Sequence, residues 1–439
     1  MTDIVFLVDD ILPSGELVTA TDRLRSISDN WQPNVYEDNK RYYLELAGDR
    51  VKFARLRDVT SYDSNKRYFY FIPMNDWHCT AQQYFFLLDK NIQLEFARNR
   101  VGFYFCQDFE MYPNMNINFL GNYLGWVRLC RDAHSFSQIP LYFAMAAGME
   151  KKQKFAIRRA FHGDINLVHS PLLVSYSVGQ LRRRTAAAGV NLDELVAGFI
   201  AEYLDAPKTK LYTSLTRDQK YHRVTMMHAL RSLDLLSKGH VSNLMPRPYT
   251  SDAAAAVKSD YAERVVSDMT LAGDLPLMRA DDVEASERER DAFIVEGLGG
   301  VLPLDVMRSS WYDLVQETGT RYDVLDTVVD MAVVTEKTVK SLLFARPYAV
   351  NGGPECLKVI RRWGFETCDF LFDERYDSLE HFMDRQAVIA DDMVRHAQDL
   401  TLVERAVREN RDSMLRNSAR ALNFPAADVL ADAILRPWE

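Results

Sequence analysis

The sequence predicts an α/β protein of two domains, and three observations carry that expectation. The N-terminal half alternates short apolar, aromatic and β-branched runs with helix-like segments. Toward the C-terminus, residues 332–354 compress a strand, a helix, a second strand and a Gly-Gly-Pro turn into one β-α-β-α unit. The chain has 439 residues, of which 47% are hydrophobic and 26% charged, a soluble composition too long for one ordinary core. Two cores of similar size are expected.

Taken in order, the chain opens on the apolar strand Ile4–Val8 without a basic leader. Residues 68–74 read as a strand ending at Asn75-Asp76-Trp77-His78, 80–96 as a helix, and 101–106 as a strand ending at Gln107-Asp108-Phe109-Glu110. Ligands of open α/β sheets gather beyond the carboxyl ends of strands, so Asp76, Asp108 and Glu110 fall where a site would be built. The runs Tyr68-Phe69-Tyr70 and Phe103-Tyr104-Phe105 read as buried strand packing. The pattern weakens around 202–210, and the boundary is placed there: an N-terminal α/β domain at 1–205 and a second at 206–390. The second begins with a strand at 211–215, then Arg217, then a helix over 218–238 that carries His222 and Arg223 in its first turns and is closed by Gly239. Residues 245–302 read as an insertion rich in Ala, Asp, Glu and Arg. A strand at 311–316 delivers Glu317-Thr318. The end of the chain is helical, with stretches at 379–396 and 400–414, and 391–439 is expected to be a tail packing back across the junction.

In the β-α-β-α unit, Thr335 is placed to cap a helix that reaches Ala345, and a second strand ends in Gly352-Gly353-Pro354. A helix N-terminus offers unpaired N–H groups and a partial positive charge. The turns at Thr335 and at Gly352 and Gly353 could therefore hold a phosphorylated ligand, with Lys337 as counter-charge. The plainer alternatives stand beside this: Thr335-Glu336-Lys337 is also an ordinary helix start, Gly352-Gly353-Pro354 an ordinary turn, and His222 and Arg223 solvated helix residues.

The formal net charge of −9 argues against a broad non-specific grip on nucleic acid. A local basic patch at Lys151, Lys152, Lys154, Arg158, Arg159, Arg182, Arg183 and Arg184 reads either as solvated helix faces or as a phosphate track. Cys79, Cys106, Cys130, Cys356 and Cys368 show no zinc-like spacing and are expected to be reduced. No apolar run approaches the ~20 residues of a membrane helix, so no membrane association and a cytoplasmic location are expected, the host cytoplasm if phage-encoded.

Arg217, His222 and Arg223, then Glu317, Thr335-Glu336-Lys337, Gly352-Gly353, Gly364-Phe365 and Asp373-Glu374-Arg375-Tyr376-Asp377 occur in one order over residues 211–385, the insertion excluded. In this order the sequence resembles GT-B glycosyltransferases. The segment from Tyr312 to Gly353 is similar to the donor-binding segment of α1,3-fucosyltransferases. With the Gly-Phe and Asp-Glu-x-Tyr-Asp stretches it is more similar still to glycosyltransferase-like proteins of tailed bacteriophages. Gln316-Glu317-Thr318 departs from the fucosyltransferases' Phe-Glu-Asn, so the donor's sugar and base do not carry over. The resemblance implies two Rossmann-type domains facing across a cleft, a nucleotide-sugar donor (UDP- or GDP-sugar) and no metal. The chain lacks an obvious Asp-x-Asp on the expected strand turn.

Sugar transfer builds negative charge on the departing diphosphate, which fixed cations and N–H groups must meet. Arg217, Arg223 and Lys337 are the candidates, with Glu317, Thr335, Gly352 and Gly353 around them and Glu336 accepting from ribose or sugar hydroxyls. The acceptor hydroxyl needs a base on the facing domain; Asp76, Asp108 and Glu110 compete, with Glu110 preferred. The preferred acceptor is a hydroxymethylated pyrimidine in phage DNA, reached through the basic patch and by base flipping if the DNA is duplex. The rivals are a glycan, protein or small-metabolite acceptor, which the net charge suits better, and a non-catalytic GT-B-like interaction protein.

Overall fold

A computed structural model describes residues 4–19, 43–44, 46–73, 101–107, 141–145, 147–148, 165–169, 172–187, 189–216, 221–243, 304–317, 321–324, 327–330 and 332–435. The turns bearing Asp76, Asp108 and Glu110, the expected helix at 80–96, Lys151 to Arg159, Arg217 and the expected insertion lie outside the described residues. The chain divides into two compact units: Met1–Tyr176 with Arg321–Val329 and Pro425–Glu439, and Ser177–Thr320 with Asp330–Phe424. Each unit is built on a parallel sheet, so the protein is α/β.

The first unit's sheet has six strands, β1 (Ile4–Val8), β2 (Val51–Arg55), β3 (Arg67–Pro73), β4 (Val101–Gln107), β5 (Leu141–Met145) and β6 (Ile165–His169), in the order β2-β1-β3-β4-β5-β6. All neighbours are parallel, with Phe6 opposite both Phe53 and Phe69. Strands β1, β3 and β4 match the sequence expectation. Strand β2 went unread although Val51-Lys52-Phe53-Ala54-Arg55 alternates as a sheet edge with one wet face should. Aromatic side chains fill the core: the Phe6 ring lies 4.8 Å from Tyr104 and the Tyr43 ring 4.7 Å from Phe71. The helix Ala426–Leu435 buries Leu430, Ala431 and Ile434 and is tied by Asp432 to Arg50 at 2.9 Å.

The second unit's sheet has four strands, β7 (Lys210–Thr216), β8 (Gly239–Asn243), β9 (Ser310–Gln316) and β10 (Tyr348–Asn351), in the order β8-β7-β9-β10. Pairing is parallel throughout. Around it lie α1 (Leu192–Tyr203), α2 (Tyr221–Ser232), α3 (Leu304–Arg308), α4 (Glu336–Leu343), α5 (Cys356–Arg362), α6 (Phe382–Gln398), α7 (Leu400–Glu409) and α8 (Arg411–Leu422). The helix expected over 218–238 stops at Ser232, and Gly239, expected to close it, instead opens β8. A Cβ at position 239 would run into the Tyr212 ring, so glycine is there for close packing and not as a cap. The stretch expected as one helix over 400–414 is two, α7 and α8, meeting at Asn410, whose backbone leaves helical geometry at φ −102 and ψ 17.

Of the β-α-β-α unit, α4 and β10 form close to expectation, but α4 ends at Leu343 and not at Ala345, α5 begins at Cys356 and not at Pro354, and the first strand is only Ala332–Val333, outside the four-stranded sheet. Thr335 caps α4, and the helix ends in a Schellman turn with Arg346 N–H donating to Ser341 C=O at 2.9 Å. Ala345 holds the left-handed position of that turn at φ 50, where glycine is the ordinary choice. Buried Arg346 then meets Asp313 of β9 through two hydrogen bonds, 2.9 and 2.8 Å, fixing the end of α4 to the sheet. Among the described residues, no helix is long and apolar enough to cross a membrane.

Candidate functional site

In the second unit the chain order of the strands reverses between β7 and β9, and ligands of such sheets collect beyond the strand ends at that point. Glu317 stands there, directly after β9, and it is fully buried. Its carboxylate accepts from Thr335 N–H at 2.9 Å, the Thr335 hydroxyl at 2.6 Å and the Thr338 hydroxyl at 2.5 Å. Its carbonyl accepts from Arg223 Nε and Nη2 at 3.1 and 2.9 Å, and lies 2.8 Å from His222 Nε2. One residue thus binds the end of β9 to the starts of α2 and α4.

His222 and Arg223 are both 4% exposed, which rules out the alternative of solvated helix residues. A relay of amides holds the same corner. Gln386 donates to the His222 carbonyl at 2.6 Å and to Asn351 Oδ1 at 3.1 Å; Asn351 Nδ2 donates to Gln316 Oε1 at 2.5 Å. Gln316 Nε2 donates to Ser214 Oγ on β7 at 3.3 Å, so the relay crosses the switch point. Buried Arg385 donates to the Gly352 carbonyl at 3.1 Å, and a Cβ at Gly352 would sit 3.3 Å from the Cβ of Glu317. The structure therefore brings Arg223, Glu317, Thr335 and Gly352 together at one corner.

Lys337 donates through Nζ to Glu336 at 2.8 Å and to the Thr335 hydroxyl at 3.2 Å. Burial alone would raise the Glu336 carboxyl, but the Lys337 charge and hydrogen bond, with Lys340 behind them, push it down to about 2. Glu336 is thus an anion at any working pH, set at a helix N-terminus that favours one.

The Gly364-Phe365 and Asp373–Asp377 stretches have structural work. Gly364 ends α5 at φ 82, with Phe365 N–H closing a Schellman turn on Ile360 C=O at 3.2 Å. Asp377 is buried and accepts from Leu357 and Lys358 N–H at 2.9 and 3.1 Å, so the start of α5 is occupied by a carboxylate of the chain itself. Burial pushes the Asp377 carboxyl up to about 6 in spite of those bonds. Tyr376 Oη accepts from Val350 N–H at 3.1 Å and Cys368 Sγ from Tyr348 N–H at 3.4 Å, which closes the outer edge of β10.

Of the other basic candidates, Arg182 is paired with Asp193 at 3.0 Å and donates to Leu422 C=O at 3.0 Å. Arg183 is half-buried, and nothing is described of the Arg184 side chain. Among the described residues, no group of three or more His, Cys, Asp or Glu side chains is gathered as metal ligands. Sequence reasoning missed Gln316, Asn351, Arg385 and Gln386, single polar residues whose convergence depends on strand order. It also missed Asp9 in the first unit, which follows β1 at that sheet's own switch point and accepts from the Tyr70 hydroxyl at 2.6 Å. The rule that selected Asp76 and Asp108, an acid directly after an apolar run, would have found it. No protein-family model matches the chain, and no curated protein matches it.

Proposed function

We propose that the protein is a GT-B-type glycosyltransferase that moves a sugar from a nucleoside diphosphate to a hydroxyl acceptor. One observation carries the reading. The strand-end acid, the Thr-Glu-Lys helix start and the Gly-Gly turn, read from the sequence as one donor-binding segment, meet through Glu317 at the carboxyl edge of a parallel sheet.

On this reading Glu317 orients the donor pocket and does not touch the donor, because its oxygens are engaged by Thr335 and Thr338. Arg223 likewise holds the Glu317 carbonyl, so it positions the corner. Groups fixed before the substrate arrives cost no reorganisation as charge develops on the leaving diphosphate. The ionised Glu336 is suited to accept from ribose or sugar hydroxyls. The acceptor hydroxyl would need a base, for which the sequence offers Glu110, preferred over Asp108 and Asp76.

The preferred acceptor remains a hydroxymethylated pyrimidine in phage DNA. The net charge of −9 favours a second reading, a glycan, protein or small-metabolite acceptor. Incubating the purified chain with mixed UDP-, GDP- and CMP-sugars and identifying the retained species by mass spectrometry tests the donor. Retention of one nucleotide class is expected; a folded chain that retains none contradicts the proposal. Salt-sensitive binding to DNA, present or absent, then separates the two acceptors.

A further inference from the structure

Three ammonium or guanidinium groups near the Glu317 corner are already engaged: Arg223 and Arg385 on carbonyls, Lys337 on Glu336 and Thr335. Lys340 is different. It lies one turn along α4, three residues after Lys337 and four after Glu336, so the three side chains share one side of the helix. Its side chain is half-buried. The charged groups facing it are Glu336 and Lys337 from its own helix, Asp313 from β9 and Glu317 from that strand's end. Among the described residues, its Nζ makes no hydrogen bond and has no carboxylate within ion-pair distance. The carboxylates act on the ammonium from a distance and none pairs with it directly, so its N–H donors are open to a bound anion.

We infer that Lys340 receives the anionic part of the ligand at this edge, a phosphate or diphosphate group, while Lys337 holds Glu336 in place. The inference deepens the nucleotide-sugar reading and rests on it for the identity of the ligand. Burial pushes the Lys340 ammonium down to about 8, with Glu336 opposing the shift and Lys337 adding to it. Affinity for an anion at Lys340 would therefore fall as the pH rises above that value.

Calorimetric titration of the full chain with inorganic pyrophosphate, GDP and UDP, on the wild type, Lys340→Met and Lys340→Arg, tests the assignment. One lost charge-assisted contact corresponds to an affinity loss of about tenfold in Lys340→Met, with most of it restored in Lys340→Arg. The wild type should bind the preferred nucleoside diphosphate more weakly at pH 9 than at pH 7, and Lys340→Met should lose that dependence. Its unfolding temperature should be unchanged or higher, because an unpartnered charge has gone. If GDP or UDP binds equally well to Lys340→Met, the inference falls and the nucleotide reading stands. If pyrophosphate binds through Lys340 without any preference for a nucleoside diphosphate, the inference stands and the nucleotide reading falls. Failure of all three probes to bind the folded wild type overturns both.

Discussion

Replacing Glu317 probes the corner at its hub. In Glu317→Ala the Thr335 amide, the Thr335 hydroxyl and the Thr338 hydroxyl lose their common acceptor, at 2.9, 2.6 and 2.5 Å, within a fully buried site. A buried donor left without a partner costs about 1–3 kcal/mol, and bonds to a charged acceptor lie at the upper end. The Thr335 hydroxyl would still accept from Lys337 N–H at 3.3 Å and Lys337 Nζ at 3.2 Å, but its own O–H would be left without an acceptor. A loss of about 4 kcal/mol is expected. Glu317→Gln keeps an oxygen for the Thr335 amide and the Thr338 hydroxyl but turns an NH2 toward the Thr335 hydroxyl, and about 1–2 kcal/mol should go. Urea unfolding followed by fluorescence of Trp311 and Trp363, both buried in the second unit, measures both values. In a double-mutant cycle Thr338→Val should couple to Glu317→Ala by about 1 kcal/mol or more. Losses below about 0.5 kcal/mol in both single variants would refute the reasoning.

Three further outcomes follow from the same unit. Ala345→Gly relieves a left-handed alanine at φ 50 and should raise stability by about 1 kcal/mol, read as an increase in unfolding temperature. The Tyr348 hydroxyl is buried with no hydrogen-bond partner among the described residues, so Tyr348→Phe should be neutral or stabilising by up to about 1 kcal/mol in urea unfolding. Two groups should shape the acid limb in opposite senses. His396 is buried against Leu371 C=O at 2.9 Å, and burial pushes it down to about 4, so its contribution is present above its ordinary value of 6.5 and is lost as pH falls through about 4. Asp377, raised to about 6, contributes stability that is present below its ordinary value of 3.8 and lost as pH rises through about 6. Between pH 4 and 6, Asp377→Asn should therefore steepen the fall in stability on acidification, and His396→Leu should flatten it; unchanged slopes would contradict the assignments.

The sequence was most legible where local signals decide structure. Thr335 as a cap, Ile4–Val8 as a buried strand and the strand Tyr348–Asn351 follow from turn chemistry and apolar runs, and they stand; the short run at Ala332–Val333 was too brief to show that it stays outside the sheet. Gly239 misled because a glycine after a helical pattern signals a cap, whereas here the Tyr212 ring demands the missing Cβ, a contact between two strands that no local window contains. Glu317 was found by its place after an apolar run, but the partners of its carboxylate, Thr335 and Thr338, were not legible, because only the fold places them beside it. Gln386 and Asn351 gave no signal, since a buried amide relay is assembled from residues 35 apart that look like surface polar positions. The Asp373–Asp377 stretch was noticed through resemblance, and its work is to cap α5 and close the edge of β10.

Calorimetry of the folded wild-type chain with UDP-, GDP- and CMP-sugars tests the central claim most directly, that the Glu317 corner serves a nucleotide-sugar pocket. One donor class should bind, and Glu317→Gln should weaken that binding by at least about tenfold while circular dichroism shows the fold retained. No binding by any donor, or binding that is indifferent to Glu317→Gln, would contradict the account.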